Sequence, residues 1–97
     1  MKNFRTLEMA VNFYQNAKNL KLKHPLQNQF DRALLSIVLN LSEGSAKPSA
    51  KERKRFYYIA LGSLREVQMI LKLTLTHKLL NESDALGASL YKLCKNT

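Results

Sequence analysis

The sequence predicts an all-α protein, an antiparallel up-down-up-down four-helix bundle built as a single domain over residues 1–97. Three observations predict it. Four segments carry apolar residues at alternating spacings of three and four, and no segment sustains the alternation of a strand. The connections between them are short, and long amphipathic helices joined by short connections pack as antiparallel neighbours. An apolar fraction of 45% in 97 residues is enough for one core.

Helix 1 is expected from about Asn3 to Leu20, with Phe4, Leu7, Val11 and Tyr14 as its seam. Pro25 disfavours helix at His24, so the Lys21–Pro25 stretch ends it. Helix 2, about Leu26 to Glu43, places Phe30, Leu34, Ile37 and Leu41 on one stripe. Leu35, Val38 and Leu39 fall off that stripe, and a helix apolar on more than one side is covered on more than one side. In a bundle this small, those three residues are expected to meet another subunit, which makes the protein a homo-oligomer. Gly44 is expected to close helix 2 in a left-handed cap.

Ser49, followed by Glu52 three residues on, forms a capping box that opens helix 3. That helix is expected from about Ala50 to Lys78, with Tyr57, Ala60, Leu64, Val67 and Leu71 as its seam. Gly62 within it is read as a point of close helix packing. Asn81, with Asp84 at the third position, is expected to cap helix 4, about residues 82–95, whose seam is Leu86, Leu90 and Leu93.

The charge is the second strong signal. Sixteen Lys and Arg stand against seven Asp and Glu, a formal net charge of +9. Solubility alone needs only about 2–8 charges in a small domain. Five of the basic residues, Lys47, Lys51, Arg53, Lys54 and Arg55, crowd the turn between helices 2 and 3. Cations at a helix N-terminus oppose the macrodipole, whereas the free N–H groups there suit phosphate. In the up-down plan the same pole collects Lys2, Arg5, Lys92 and Lys95, against Glu8, Glu43 and Glu52. These nine cations form the expected nucleic-acid-binding surface for RNA or DNA, dominated by backbone contacts because no base-reading motif is present. Tyr58, just after the basic run, is the candidate for stacking on unpaired bases. The opposite pole carries Lys18, Lys21, Lys23 and Lys78 together with Glu82 and Asp84. An alternative reading is a protein–protein adaptor or scaffold whose basic pole docks an acidic partner, with no nucleic-acid role.

Other chemistries find little support. Arg32, Ser36, Asn40 and Glu43 share one face of helix 2, and Ser63 and Glu66 are expected to face them from helix 3. This reads as a structural polar seam, with Lys51 or Arg53 compensating Glu43. Paired-carboxylate catalysis is not expected, since Glu43 and Glu66 sit more than about 15 Å apart along helix 3 at about 1.5 Å per residue. The chain is read as a non-enzyme. His24 and His77 lack Cys or carboxylate partners at ligand spacing, so no metal is expected. Gly44–Ser49 lacks the second glycine and preceding strand of a phosphate loop, so no nucleotide cofactor is expected. Cys94 is the single cysteine, and the first residues lack the continuous apolar core of a signal peptide. Ala33–Leu41 is interrupted by Ser36 and Asn40 and too short for a bilayer. A cytoplasmic protein without membrane contact is the expectation.

The segment Arg32-Ala33, Ser36-Ile37, Asn40, Glu43-Gly44, then Phe56 and Ile59 through Glu66, resembles a family of small bacterial proteins encoded in intervening sequences of 23S rRNA genes. These are related to the accessory variability determinant of diversity-generating retroelements. The resemblance implies a left-handed four-helix bundle, a homopentamer, and a basic surface suited to nucleic acid. For the retroelement relatives it also implies a protein partner, a reverse transcriptase, beside which the bundle is accessory.

Overall fold

The computed structural model describes residues 4–97; Lys2, Asn3 and the side chain of Phe4 lie outside the described part. Four helices follow one another: α1 (Phe4–Ala17), α2 (Leu26–Ser45), α3 (Ala50–Leu73) and α4 (His77–Asn96). Each packs on two neighbours, in the cycle α1, α2, α3, α4, and among the described residues the diagonal pairs bring no Cα atoms within 8 Å of each other. Ser36 meets Ser63 while Ser45 meets Tyr57, so α2 and α3 run in opposite directions. Gln68 meets Ser83 while Leu64 stands against Gly87, so α3 and α4 do likewise. The result is an all-α bundle 40 Å long and about 20 Å across, from extents of 40 × 22 × 19 Å. No described helix is long and apolar enough to cross a membrane.

The core seams of α2 and α3 match the spacing in the sequence. Phe30, Leu34, Ile37 and Leu41 from α2 meet Tyr57, Ala60, Leu64, Val67 and Leu71 from α3, all buried. The seam of α1 is in a different phase from the one its large residues suggest. Thr6, Ala10, Phe13 and Ala17 are buried, Leu7 and Tyr14 lie at the core's edge, and Val11 is exposed. Two alanines, Ala10 and Ala17, lie on the inner face of α1, which packs on α2 and α4, and the Thr6 hydroxyl shares a 2.8 Å hydrogen bond with Ser89. On α4, Leu86 and Leu90 are buried with Ser83, Gly87 and Cys94, while Leu93 is only half-buried.

Three boundaries differ from expectation. α1 ends at Ala17, short of Leu20, and Gln27 organises the chain that follows. Its Oε1 accepts from the Leu22 N–H at 2.6 Å, and its Nε2 donates to the Leu20 carbonyl at 3.2 Å and to Asp31 at 2.9 Å. α2 runs through Gly44 to Ser45, so Gly44 is no left-handed cap. An added Cβ there would sit 2.9 Å from Phe56 Cβ and 2.9 Å from a Tyr57 ring carbon, so the glycine permits close contact of α2 with α3. Gly62, by contrast, has nothing within 4 Å of such a Cβ and makes no close contact.

The third boundary is the α3–α4 turn, which lies at Thr74–Thr76 and not beyond Lys78. Leu75 adopts φ 56°, the Leu75 N–H donates to Lys72 O at 3.2 Å and the Thr76 N–H donates to Leu71 O at 2.9 Å. These are the two hydrogen bonds of a Schellman ending, here with a leucine where glycine is usual. The Thr74 hydroxyl reinforces it by donating to Ile70 O at 2.8 Å. Asn81 therefore lies inside α4 and caps nothing. Starting α4 a turn earlier lets Leu79 and Leu80 pack against the core. A left-handed conformation costs a non-glycine residue about 1–2 kcal/mol. Leu75 is 71% exposed, so little packing is lost on truncation. Leu75→Gly is expected to stabilise the fold by about 1 kcal/mol in a urea melt.

Candidate nucleic-acid interface

The turn between α2 and α3 begins with Ala46 and Lys47, whose N–H groups donate to Glu43 O and Gly44 O. Ser49 then caps α3, its hydroxyl accepting from the Glu52 N–H at 3.2 Å. The basic run is divided in its duties. The Arg53 guanidinium donates from Nη1 to the carbonyls of Lys47 at 3.1 Å and Pro48 at 3.0 Å, pinning the turn to the first turns of α3. Lys47 forms an ion pair with Glu43 at 3.1 Å. Glu43 is thus compensated by Lys47, one turn along, and not by Lys51 or Arg53. Lys47 and Arg55 also lie over the Phe56 ring, at 5.2 and 5.4 Å from its centre. Lys51 and Lys54 are exposed and make no ion pair among the described residues. Arg53 is accordingly structural as well as cationic, so neutralising it would loosen the turn in addition to removing charge.

Beside this turn the helices leave an open groove of about 1110 Å³. Its wall is contributed by the start of α1, the ends of the α2–α3 turn and the second half of α4. Small residues, Ala50 of α3 with Ala85 and Ala88 of α4, leave the space, and Arg5, Arg53 and Lys92 line it. No Asp or Glu side chain is among the described lining residues. Three cations reach it from three different helices, in a concave surface where their fields add. The Arg53 fork has five N–H donors, and the turn carbonyls engage only Nη1.

Of the other residues singled out from the sequence, Lys95 places its ammonium 5.9 Å from the centre of the Tyr91 ring. Tyr58 is 45% exposed, whereas Tyr57 is fully buried. On the α2–α3 flank, Ser36 and Ser63 share a 2.7 Å hydrogen bond, and Asn40 Nδ2 donates to the Ser36 hydroxyl and carbonyl, each at 2.9 Å. Arg32, Glu43 and Glu66 are exposed and do not join that network. Leu35 and Leu39 are exposed, but Val38 is half-buried against the bundle's own core. Burial pushes the Cys94 thiol above its usual range, with nearby Lys54 acting in the opposite direction.

Residues missed from the sequence include Thr6, Ser45, Ser89 and Asn96, which line the groove, and Tyr91. The signal was a small and polar face on helix 4, Ala85, Ala88, Ser89, Lys92 and Asn96, recurring at helical spacing beside the apolar seam.

No curated protein and no solved structure matches the chain. The family model described as 23S rRNA-intervening sequence protein matches residues 4–97. That match takes in all four helices and the groove between them, and the chain belongs to the family of 23S rRNA-intervening sequence proteins.

Proposed function

We propose that the protein binds nucleic acid, RNA or DNA, through phosphate contacts at this end of the bundle, without catalysing a reaction of its own. The groove lined by Arg5, Arg53 and Lys92, with no Asp or Glu among its described lining residues, carries the reading. Lys51, Lys54 and Lys95 extend the same positive surface around it. Among the described residues the groove offers cations and hydroxyls and no activated nucleophile, which supports a reading as a binding surface.

Self-association is part of the proposal. Leu35 and Leu39 of α2 and Ile59, Met69 and Leu73 of α3 are between 41% and 67% exposed. They stand on the outward faces of the two helices, away from the core stripe, and a second copy is the occupant proposed for them. A ring of copies would repeat the basic groove and raise avidity for one long polyanion.

Equilibrium sedimentation with a fluorescent oligonucleotide reads both claims. The protein is expected to sediment above its 11.1 kDa monomer mass and to carry the label. Titrating salt should give a log K against log salt slope of at least about −2, for three phosphates at roughly −0.7 to −0.9 each. A monomer at micromolar concentration removes the assembly claim. Absence of labelled complex at low salt, with single-stranded and duplex RNA and DNA alike, removes the nucleic-acid claim.

A further inference from the structure

Two tyrosines on neighbouring helices are bare where tyrosine usually covers its ring. Tyr58 of α3 is 45% exposed and Tyr91 of α4 is 51% exposed. The α3–α4 register brings them to one level. Leu64 stands against Gly87, and one turn further along α4 places Tyr91 opposite Ala60. Tyr58 is then offset by two residues, about 3 Å along the axis at about 1.5 Å per residue. The influence of Lys54 on Cys94 fits the same register.

Both rings also lie on the same seam. Tyr91 is one turn beyond Gly87, which faces Arg65 and Gln68 of α3. Tyr58 is two turns before Arg65, on that same edge of α3. Lys54 precedes Tyr58 by one turn, and Lys95 follows Tyr91 by one turn with its ammonium 5.9 Å from the ring centre. The rim therefore carries two half-exposed aromatic rings flanked by two cations, of which Lys95 lies over one face of Tyr91. No acidic residue occurs from Arg53 to Arg65 or from Ala85 to Thr97.

We propose that this rim is a stacking platform for unpaired nucleotides, so that the ligand is a single strand and not a duplex. The proposal rests on the nucleic-acid reading above and specifies its substrate class. Exposed aromatic rings interleaved with cations match what an unpaired strand presents, a base face beside a phosphate. A duplex keeps its base faces stacked inside and offers only the phosphates. Packed helix axes about 8–10 Å apart leave room for two bases side by side. The stacking is indifferent to the sugar, so RNA and DNA single strands are both bound.

The test compares a single-stranded RNA 12-mer, its DNA counterpart and duplexes of the same length on the full chain. Wild type is expected to bind either single strand at least about tenfold tighter than a duplex at equal salt. Tyr58→Leu with Tyr91→Leu should weaken single-strand binding by at least about 30-fold, given the worth of two base–aromatic stacks. Duplex affinity and salt slope should stay unchanged, because no phosphate contact is lost. Tyr58→Phe with Tyr91→Phe should retain single-strand binding. A duplex preference, or equal loss on both forms, overturns the platform while leaving phosphate binding in place. A Leu variant whose sedimenting mass falls would also overturn it, by showing the rim to be a contact between copies. If wild type binds no nucleic acid at all, the parent reading fails and takes the platform with it.

Discussion

Replacing Arg5 and Lys92 together by Gln is expected to lower affinity for an oligonucleotide by about 10- to 100-fold near 0.1 M salt, with a salt slope shallower by about 1.4–1.8. Each lost cation leaves one phosphate without its counter-charge, and counterions that binding had released stay in place. Both side chains are exposed and line the groove without an ion pair among the described residues, so the melting temperature should hold. Arg53 is left intact in this variant because its guanidinium also holds the turn carbonyls. Neutralising Lys18, Lys21 and Lys23 in the α1–α2 connection is the matched control and should do less. If that control weakens binding more, the interface has been placed at the wrong end of the bundle.

Gly44→Ala should be the most destabilising conservative change in the protein, by about 1–3 kcal/mol. A methyl group there meets Phe56 Cβ and the Tyr57 ring, each at 2.9 Å, and the Phe56 contact is to an atom next to the backbone. α2 and α3 must separate, and their separation disturbs the buried seam from Phe30 to Leu71. In a helix interior alanine is otherwise better than glycine by roughly 0.5–1 kcal/mol, so the clash has to exceed that gain. Gly62→Ala supplies the comparison. With open space around position 62, it should stabilise by up to about 1 kcal/mol. At about 4–8 °C per kcal/mol for a domain of this size, thermal melts separate the two variants in sign. A Gly44→Ala protein that melts as high as wild type would show that the α2–α3 contact is not tight.

The two glycines show how far the sequence informs. Gly44 continues the stripe of Phe30, Leu34, Ile37 and Leu41, whereas Gly62 falls off the seam of Tyr57, Ala60, Leu64 and Val67, so the inward and outward phases are legible from spacing. Spacing does not contain the distance between α2 and α3, which leaves no room for a Cβ at position 44. That distance is set by how the helices meet. The α3–α4 turn was hidden for a related reason. Thr74-Leu75-Thr76 has neither glycine nor proline, and the ending depends on leucine accepting a left-handed conformation. The core gained by Leu79 and Leu80 joining α4 offsets that strain, and such a gain exists only once the helices are assembled.

By itself the sequence determined the all-α class, the four helices, the seams of α2 and α3, the Ser49 cap and the concentration of positive charge. These follow from periodicity, side-chain chemistry and composition, properties that act within a turn or two of chain. Only the tertiary structure decided the seam of α1, where Ala10 and Ala17 pack inward while Val11 faces out. Only it divided the basic run into residues that hold the turn, Arg53 and Lys47, and residues left exposed, Lys51 and Lys54. The groove, too, exists only in the assembled bundle, because Arg5, Arg53 and Lys92 lie on different helices. Charge is additive along a chain and can be counted there, but concavity arises where small side chains from separate helices meet, and that is a property of packing.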